Sequence, residues 1–187
     1  MKPIEVTHFT KRLVLEPLTK QHASKLFEGF SSPKLYEYIP QNPPGSMSEL
    51  ETRYAHLEKR TSPDGGSLWL NWACRLIASD IYIGLVEVTL DIDSIDAALA
   101  YFIFSDHQHL GYAREACEAV LEHIFRDYEA VSSTSEIDDL NQASIALVHR
   151  LGFQKLGDSK AVTPYKGKTH SEGRYSITRE RWMSRST

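Results

Sequence analysis

The sequence predicts a mixed α/β fold of the α+β kind, with about seven strands and about four helices in one domain over residues 1–187. Three observations predict it. Apolar runs of strand length alternate with segments of helical periodicity, turn-forming residues mark the junctions between them, and no repeat, low-complexity tract or linker divides the chain. A chain of 187 residues can bury a substantial core without metal or disulfide staples.

Taken in order, RLVLEP (12–17) alternates as a first strand, and Thr19 then caps a helix that runs through Phe30 and closes at the turn SSP. IPQNPPGS (39–46) is a loop, because Pro43 and Pro44 lack the amide hydrogen that a helix or strand would use. A second helix occupies 47–60. After the turn TSPDGGS, LWLNWACRLI (68–77) and DIYIGLVEVTLDID (80–93) read as strands of a hairpin across Ala78 and Ser79. AALAYFIF (97–104) is a continuous apolar strand. From Ala113 onward, Ala113, Ala116, Cys117, Val120, Leu121, Ile124 and Phe125 fall on one helical stripe. AVSSTSEID (130–138) has strand composition, and NQASIALVHRLG (141–152) is a helix with Gly152 at its left-handed cap. Strands over 153–162 and 173–182 close the chain.

The net charge of -4 argues against general nucleic-acid affinity, which needs a basic surface to displace counterions. Cys74 and Cys117 sit among apolar residues with no metal-ligand spacing and read as reduced core residues. No run approaches the ~20 apolar residues of a membrane span and no apolar leader follows Met1, so the expected location is the cytoplasm, without membrane partners, as a monomer or homodimer. His107 and His109 alternate in a short loop but lack a third ligand, so no metal is expected. The acidic run DIDSID (91–96) starts like a calcium loop but has Asp96 and Phe102 where that loop needs Gly and Glu, and it reads as a solvated turn.

The stretch SDHQHLGYAREACEA (105–119) carries the sharpest signal. Gln108, Gly111 and Ala113 form Q-x-x-G-x-A where a helix begins, and the free amides of a first helical turn bind phosphate oxygens if no side chain blocks approach. A glycine that only permits a turn would look the same. Thirty residues on, Asn141, Ser144, Ile145, Leu151, Gly152 and Phe153 make N-x-x-S-I-x-x-x-x-x-L-G-F. Together these motifs resemble the GCN5-related N-acetyltransferase (GNAT) superfamily, in particular its ribosomal-protein N-terminal acetyltransferase branch, closely over 98–153 and in element order over most of the chain.

That resemblance implies a sheet whose central parallel strands splay into a V-shaped cleft for acetyl-coenzyme A as co-substrate. It assigns cofactor binding to Ile103, Phe104, Gln108, His109, Leu110, Gly111, Tyr112, Ala113, Asn141 and Ser144. Tyr36, Tyr38, Trp69 and Trp72 lie where the family forms its acceptor pocket. Acetyl transfer to an amine needs a neutral nitrogen, a stabilised oxyanion and a protonated leaving thiolate, and a carboxylate commonly serves as base. The base candidates are Glu136 and Glu87, with Glu136 preferred for its position; a backbone amide near Ile103 or Phe104 is the oxyanion donor. Many members place a tyrosine seven residues after the asparagine, as acid for the thiolate, and this chain has Val148 there. Ser144 is the remaining candidate acid beside water, since His149 is rotated ~100° away. The expected activity is N-acetyl transfer to a protein N-terminal or small-molecule amine; a non-catalytic acyl-coenzyme A-binding module is the alternative.

Overall fold

The computed structural model describes residues 6–185. Its strands are β1 (His8–Phe9), β2 (Leu13–Pro17), β3 (Ser67–Leu76), β4 (Tyr82–Asp91), β5 (Asp96–Ile103), β6 (Ser132–Asp138), β7 (Gln154–Lys155), β8 (Lys160–Tyr165) and β9 (Lys168–Thr178). They form one nine-stranded sheet in the order β1-β2-β3-β4-β5-β6-β9-β7, with β8 hydrogen-bonded to β9. The helices are α1 (Ala23–Phe30), α2 (Met47–Leu57), α3 (Tyr112–Arg126), α4 (Gln142–Leu151) and α5 (Arg179–Ser184).

The pleat sorts the core into two layers, because alternate residues of a strand face opposite sides. Val86, Val88 and Leu90 of β4 and Leu99 of β5 pack with the stripe Cys117, Val120, Leu121 and Ile124 of α3. On the other face Leu85 and Ala73 pack with Leu26 and Phe30 of α1 and with Leu50 and Tyr54 of α2. Cys74 and Cys117 are both buried and unpaired with each other, as the apolar context predicts.

The one parallel pair breaks off early. β5 and β6 are in register only at Asp96 with Ser132, Ala97 with Ser133 and Ala98 with Thr134, although each strand continues several residues further. The edge of β5 beyond Ala98 therefore faces a gap. Phe104 closes one side of it, and its ring lies where a side chain at position 29 would be: a Cβ on Gly29 would come within 2.4 Å of three Phe104 ring atoms. Gly29 is thus the residue that lets α1 seat against the end of β5.

The sheet has more strands than the seven predicted. The predicted strand 173–182 ends at Thr178, whose side chain caps α5 by accepting from the Arg181 amide, so Trp182 is helical and buried. The predicted strand 153–162 divides into β7 and the start of β8, and a hairpin at Lys166 and Gly167, both with positive φ, joins β8 to β9. The acidic run at 91–96 is a hairpin tip in which the Asp91 carboxylate accepts from the amides of Asp93 and Ser94.

Candidate functional site

The gap between β5 and β6 is lined by backbone. Phe104 N–H donates to Ile83 O at 2.8 Å, so Phe104 points its amide at β4. Because alternate residues address opposite edges, Tyr101 and Ile103 address the gap, and Gln108 Nε2 donates to Ile103 O at 2.8 Å from that side. Of the two amides considered for an oxyanion, Ile103's faces the opening and Phe104's is spent within the sheet.

At the wide end of the gap lies the loop before α3. His109 adopts φ of 60° and Gly111 φ of 83°, and these two left-handed residues turn the chain into the helix. The amides of residues 109–114 donate to no protein group among the described residues, so the first turn of a fifteen-residue helix presents its donors outward. A Cβ on Gly111 would meet only the Arg12 guanidinium, at 3.4 Å. Arg12 was not singled out in the sequence. It stacks on the Tyr112 ring at 4.4 Å, donates to Leu110 O at 2.9 Å and pairs with Glu115 at 2.7 Å, which fixes the loop to β2. Burial works against the Glu115 charge, but the donors of Thr10 and Arg12 outweigh it and hold the carboxyl below its ordinary range. These outward amides and the unblocked approach fit a pyrophosphate.

Across the gap, Asn141 caps α4 by accepting from Ser144 N at 3.1 Å, and Tyr101 OH reaches over to donate to Ser144 O at 3.4 Å. Val148 is fully buried in the core. His149 is exposed, as its rotation on the helix requires.

The two predicted acids come together as a pair flanking the gap. Register pairs Asn71 with Glu87, Glu87 with Ala100, Ala98 with Thr134, and Glu136 with Arg174. Glu87 and Glu136 therefore stand at one level and on one face, the α1–α2 face, one step beyond the last β5–β6 pair. Between them Ala98 and Ala100 are exposed, so the floor of this trough is bare β5. Glu87 is partly buried and approaches Arg53 of α2 at 3.4 Å; burial pushes its carboxyl up and Arg53 only partly offsets this. Glu136 is exposed. Tyr36 and Tyr54 line the Glu87 side, and burial raises both phenols. Trp72 belongs to the opposite layer and does not reach the trough.

Past Glu136 the trough gains residues that the sequence reading missed. Asp138 is fully buried and accepts from Leu140 N at 2.8 Å, from Tyr165 OH at 2.9 Å and from His170 Nδ1. Lys166, at the hairpin tip, donates to Tyr36 O and Ile39 O and so ties the β8–β9 hairpin to the loop after α1. No sequence signal marks these contacts, which, apart from the one with the Leu140 amide, join positions 27 to 130 residues apart. Among the described residues, no three His, Cys, Asp or Glu side chains gather as metal ligands, and no helix is long and apolar enough to cross a membrane.

Residues 12–154 match the family model of the acetyltransferase (GNAT) domain. The chain belongs to this family. Among curated relatives, this GNAT protein is 29% identical over 102 residues to the prophage-derived N-acetyltransferase YokL of Bacillus subtilis, covering 52% of this chain and 56% of YokL. It is 23% identical to the N-acetyltransferase YoaA of the same bacterium over 92% of this chain and 96% of YoaA. The spermidine N-acetyltransferase of Vibrio cholerae, solved with CoA and spermine, superimposes with a TM-score of 0.79 at 19% identity, covering 91% of this chain and 98% of that one. The GNAT chain is an N-acetyltransferase, and its fold is the one the splayed strands predict.

Proposed function

We propose that this GNAT protein transfers the acetyl group of acetyl-coenzyme A to the primary amine of a small cationic molecule. The observation that carries the reading is the trough itself: β5 and β6 part beyond Ala98, and at that level two carboxylates, Glu87 and Glu136, flank a floor of exposed alanines. Glu172 on β9 adds a third acid on this face, its carboxyl raised by burial and by the neighbouring charges of Glu136 and Asp138. Such a face attracts an ammonium group. The spermine bound by the Vibrio enzyme is a cation of this class, which supports the choice over a protein N-terminus.

In this reading acetyl-coenzyme A supplies an activated acyl group when bound. The outward amides before and within the first turn of α3 would hold its phosphates, Arg12 keeps that loop in place, and the Ile103 amide at the edge of the gap would be available to its carbonyl oxygen. Glu87 or Glu136 takes the proton from the incoming ammonium. A carboxyl raised by burial is the better matched base near neutral pH, which favours Glu87. Ser144 contributes through the α4 cap at the arm.

Calorimetric titration with acetyl-coenzyme A, followed by thiol release across polyamines, amino acids, aminoglycosides and N-terminal peptides, tests the reading. Binding with release driven by polyamines is expected. Release only with peptides would move the acceptor to a protein N-terminus, and absence of binding would remove the cofactor assignment.

A further inference from the structure

Glu87 acts as a base only when it is ionised and turned toward the acceptor, and one neighbour on its side of the trough can secure both. Among the described residues, Arg53 Nη2 is the single donor to the Glu87 carboxylate, reaching Oε1 at 3.4 Å, and Glu87 is the single acid paired with Arg53.

The helix that carries Arg53 is set before the pair forms. Ser46 caps α2 by accepting from Glu49 N at 3.1 Å, and the buried side chains of Leu50 and Tyr54 seat it on the sheet. Arg53 follows Leu50 by three residues and adjoins Tyr54, so it stands at the border of the buried stripe, its side chain 43% exposed. An arginine and a carboxylate in full contact make two parallel bonds of about 2.7–2.9 Å. Here there is one, and it is longer. Glu87 Oε2 accepts from no group among the described residues and yet is not a buried atom, so it is the oxygen open to the trough. Ala100, the β5 partner of Glu87, is exposed and leaves that approach clear.

The groups that face Glu87 come from every element around it. Arg53 and Tyr54 belong to α2 and Tyr36 to the turn Pro33–Tyr36, and both phenols feel the charges of Arg53 and Glu87 together. α1 presents apolar Leu26 and Phe30 to this face, β3 the neutral amide of Asn71, and β5 Ala100. Lys166 lies beyond Tyr36, bonded to its carbonyl, and the acids Glu136 and Glu172 stand across the gap. Arg53 is thus the cation in contact with the carboxylate. Burial works against the Glu87 charge and is the larger influence; Arg53 opposes it.

We propose that Arg53 is a positioning residue for acetyl transfer: it holds Oε1 of an ionised Glu87 from α2 and so presents Oε2, as a charge, to the acceptor's ammonium. This rests on the acetyl-transfer reading above, with Glu87 as base. Oε2 takes the proton that the ammonium gives up, and the nitrogen lone pair so freed bonds to the acyl carbon. Overall an N–C bond forms and the C–S bond breaks with its electron pair on sulfur; one ammonium proton leaves Glu87 for water and a second ends on sulfur. Arg53 keeps its own protons throughout.

The test follows thiol release over pH with a polyamine as acceptor. The profile of kcat/KM is the one to read, because it reports the free enzyme, before the acceptor's charge reaches Glu87. Glu87 acts ionised and a cation favours that form, so removing the cation moves the acid limb to higher pH. Arg53→Met is expected to raise the limb by about one pH unit, the lower end for an opposite charge within about 6 Å. On the limb this is about a tenfold loss of kcat/KM, against about threefold at the plateau. Arg53→Lys keeps the charge and is expected to return most of the shift; the polyamine's own ionisation is common to all variants and cancels. Side-chain carboxyl NMR of glutamate-labelled protein, with the Glu87 signal assigned from Glu87→Gln, reads the same titration without turnover and is expected to move in step. A Glu87 titration that Arg53→Met leaves in place would overturn the proposal. So would a titration that moves while the limb stays, and acetyl transfer would then stand with its base elsewhere. A lowered melting temperature with an unmoved limb would assign Arg53 to structure alone. Absence of thiol release by the parent with any amine would overturn acetyl transfer and this proposal together.

Discussion

The two sides of the gap are built from different materials. The side that leads to α3 is made of backbone: two left-handed residues, a run of undonated amides and one helix start, all within residues 101–115. The trough on the α1–α2 face is made of side chains brought from β4, β6, β8, β9 and α2. A backbone site depends on conformation and on what is absent from a side chain; a side-chain site depends on register. The two should fail in different ways when altered.

The largest effect is expected at the backbone site. Gly111→Glu places a carboxylate where phosphate oxygens approach and forces a side chain into φ of 83°, so acetyl-coenzyme A affinity should fall by about 100-fold or more in calorimetry. Unchanged affinity would break the contrast, because it would mean that the loop binds nothing. At the trough the loss should appear in turnover instead. Glu87→Gln should lower kcat by about 100-fold with little change in cofactor affinity, as for loss of a general base. Glu87 acts when ionised and burial holds its carboxyl above the ordinary value of 4.5, so parent activity should decline on the acid side at a pH above that value, and the variant should lack this limb. If Glu136→Gln shows that behaviour and Glu87→Gln does not, the base lies on β6. The smallest effect is at Asn141, which serves both sides weakly: Asn141→Ala removes the α4 cap and should cost about 1 kcal/mol of stability, read by denaturant titration, with a severalfold loss of cofactor affinity.

The same contrast explains what could be read from the sequence. The turn into α3 and the cap of α4 were legible because their signals are local: Gly111 ahead of a helical stripe and Asn141 three residues before Ser144 state their geometry within one turn of chain. Glu87 was legible as a polar interruption of an apolar strand and Glu136 by its place on the strand leading to Asn141, but their standing at one level across the gap follows from the Glu87–Ala100 and Ala98–Thr134 register, which no short stretch encodes. Asp138 and His170 lie 32 residues apart and meet only because β9 turns back antiparallel on β6. His170 sits in a polar, turn-rich segment that gave no strand pattern, and the Lys-Gly hairpin at 166 and 167 was hidden between a strand predicted to end too early and one predicted to start too late. Thr178 was likewise read as strand, although a threonine with helix formers after it is also a cap.

The short parallel seam between β5 and β6 also bears on how the molecule comes apart. Three residue pairs join a sheet half contributed by residues 8–103 to one contributed by residues 132–178, and α3 and α4 lie across the join. Cooperative units in a protein divide where the fewest bonds cross, so amide exchange should resolve the sheet into two groups of protection, with the seam amides opening ahead of either half. On that view the cleft is the place where two folding units meet, and a molecule bound across it would raise the protection of both at once.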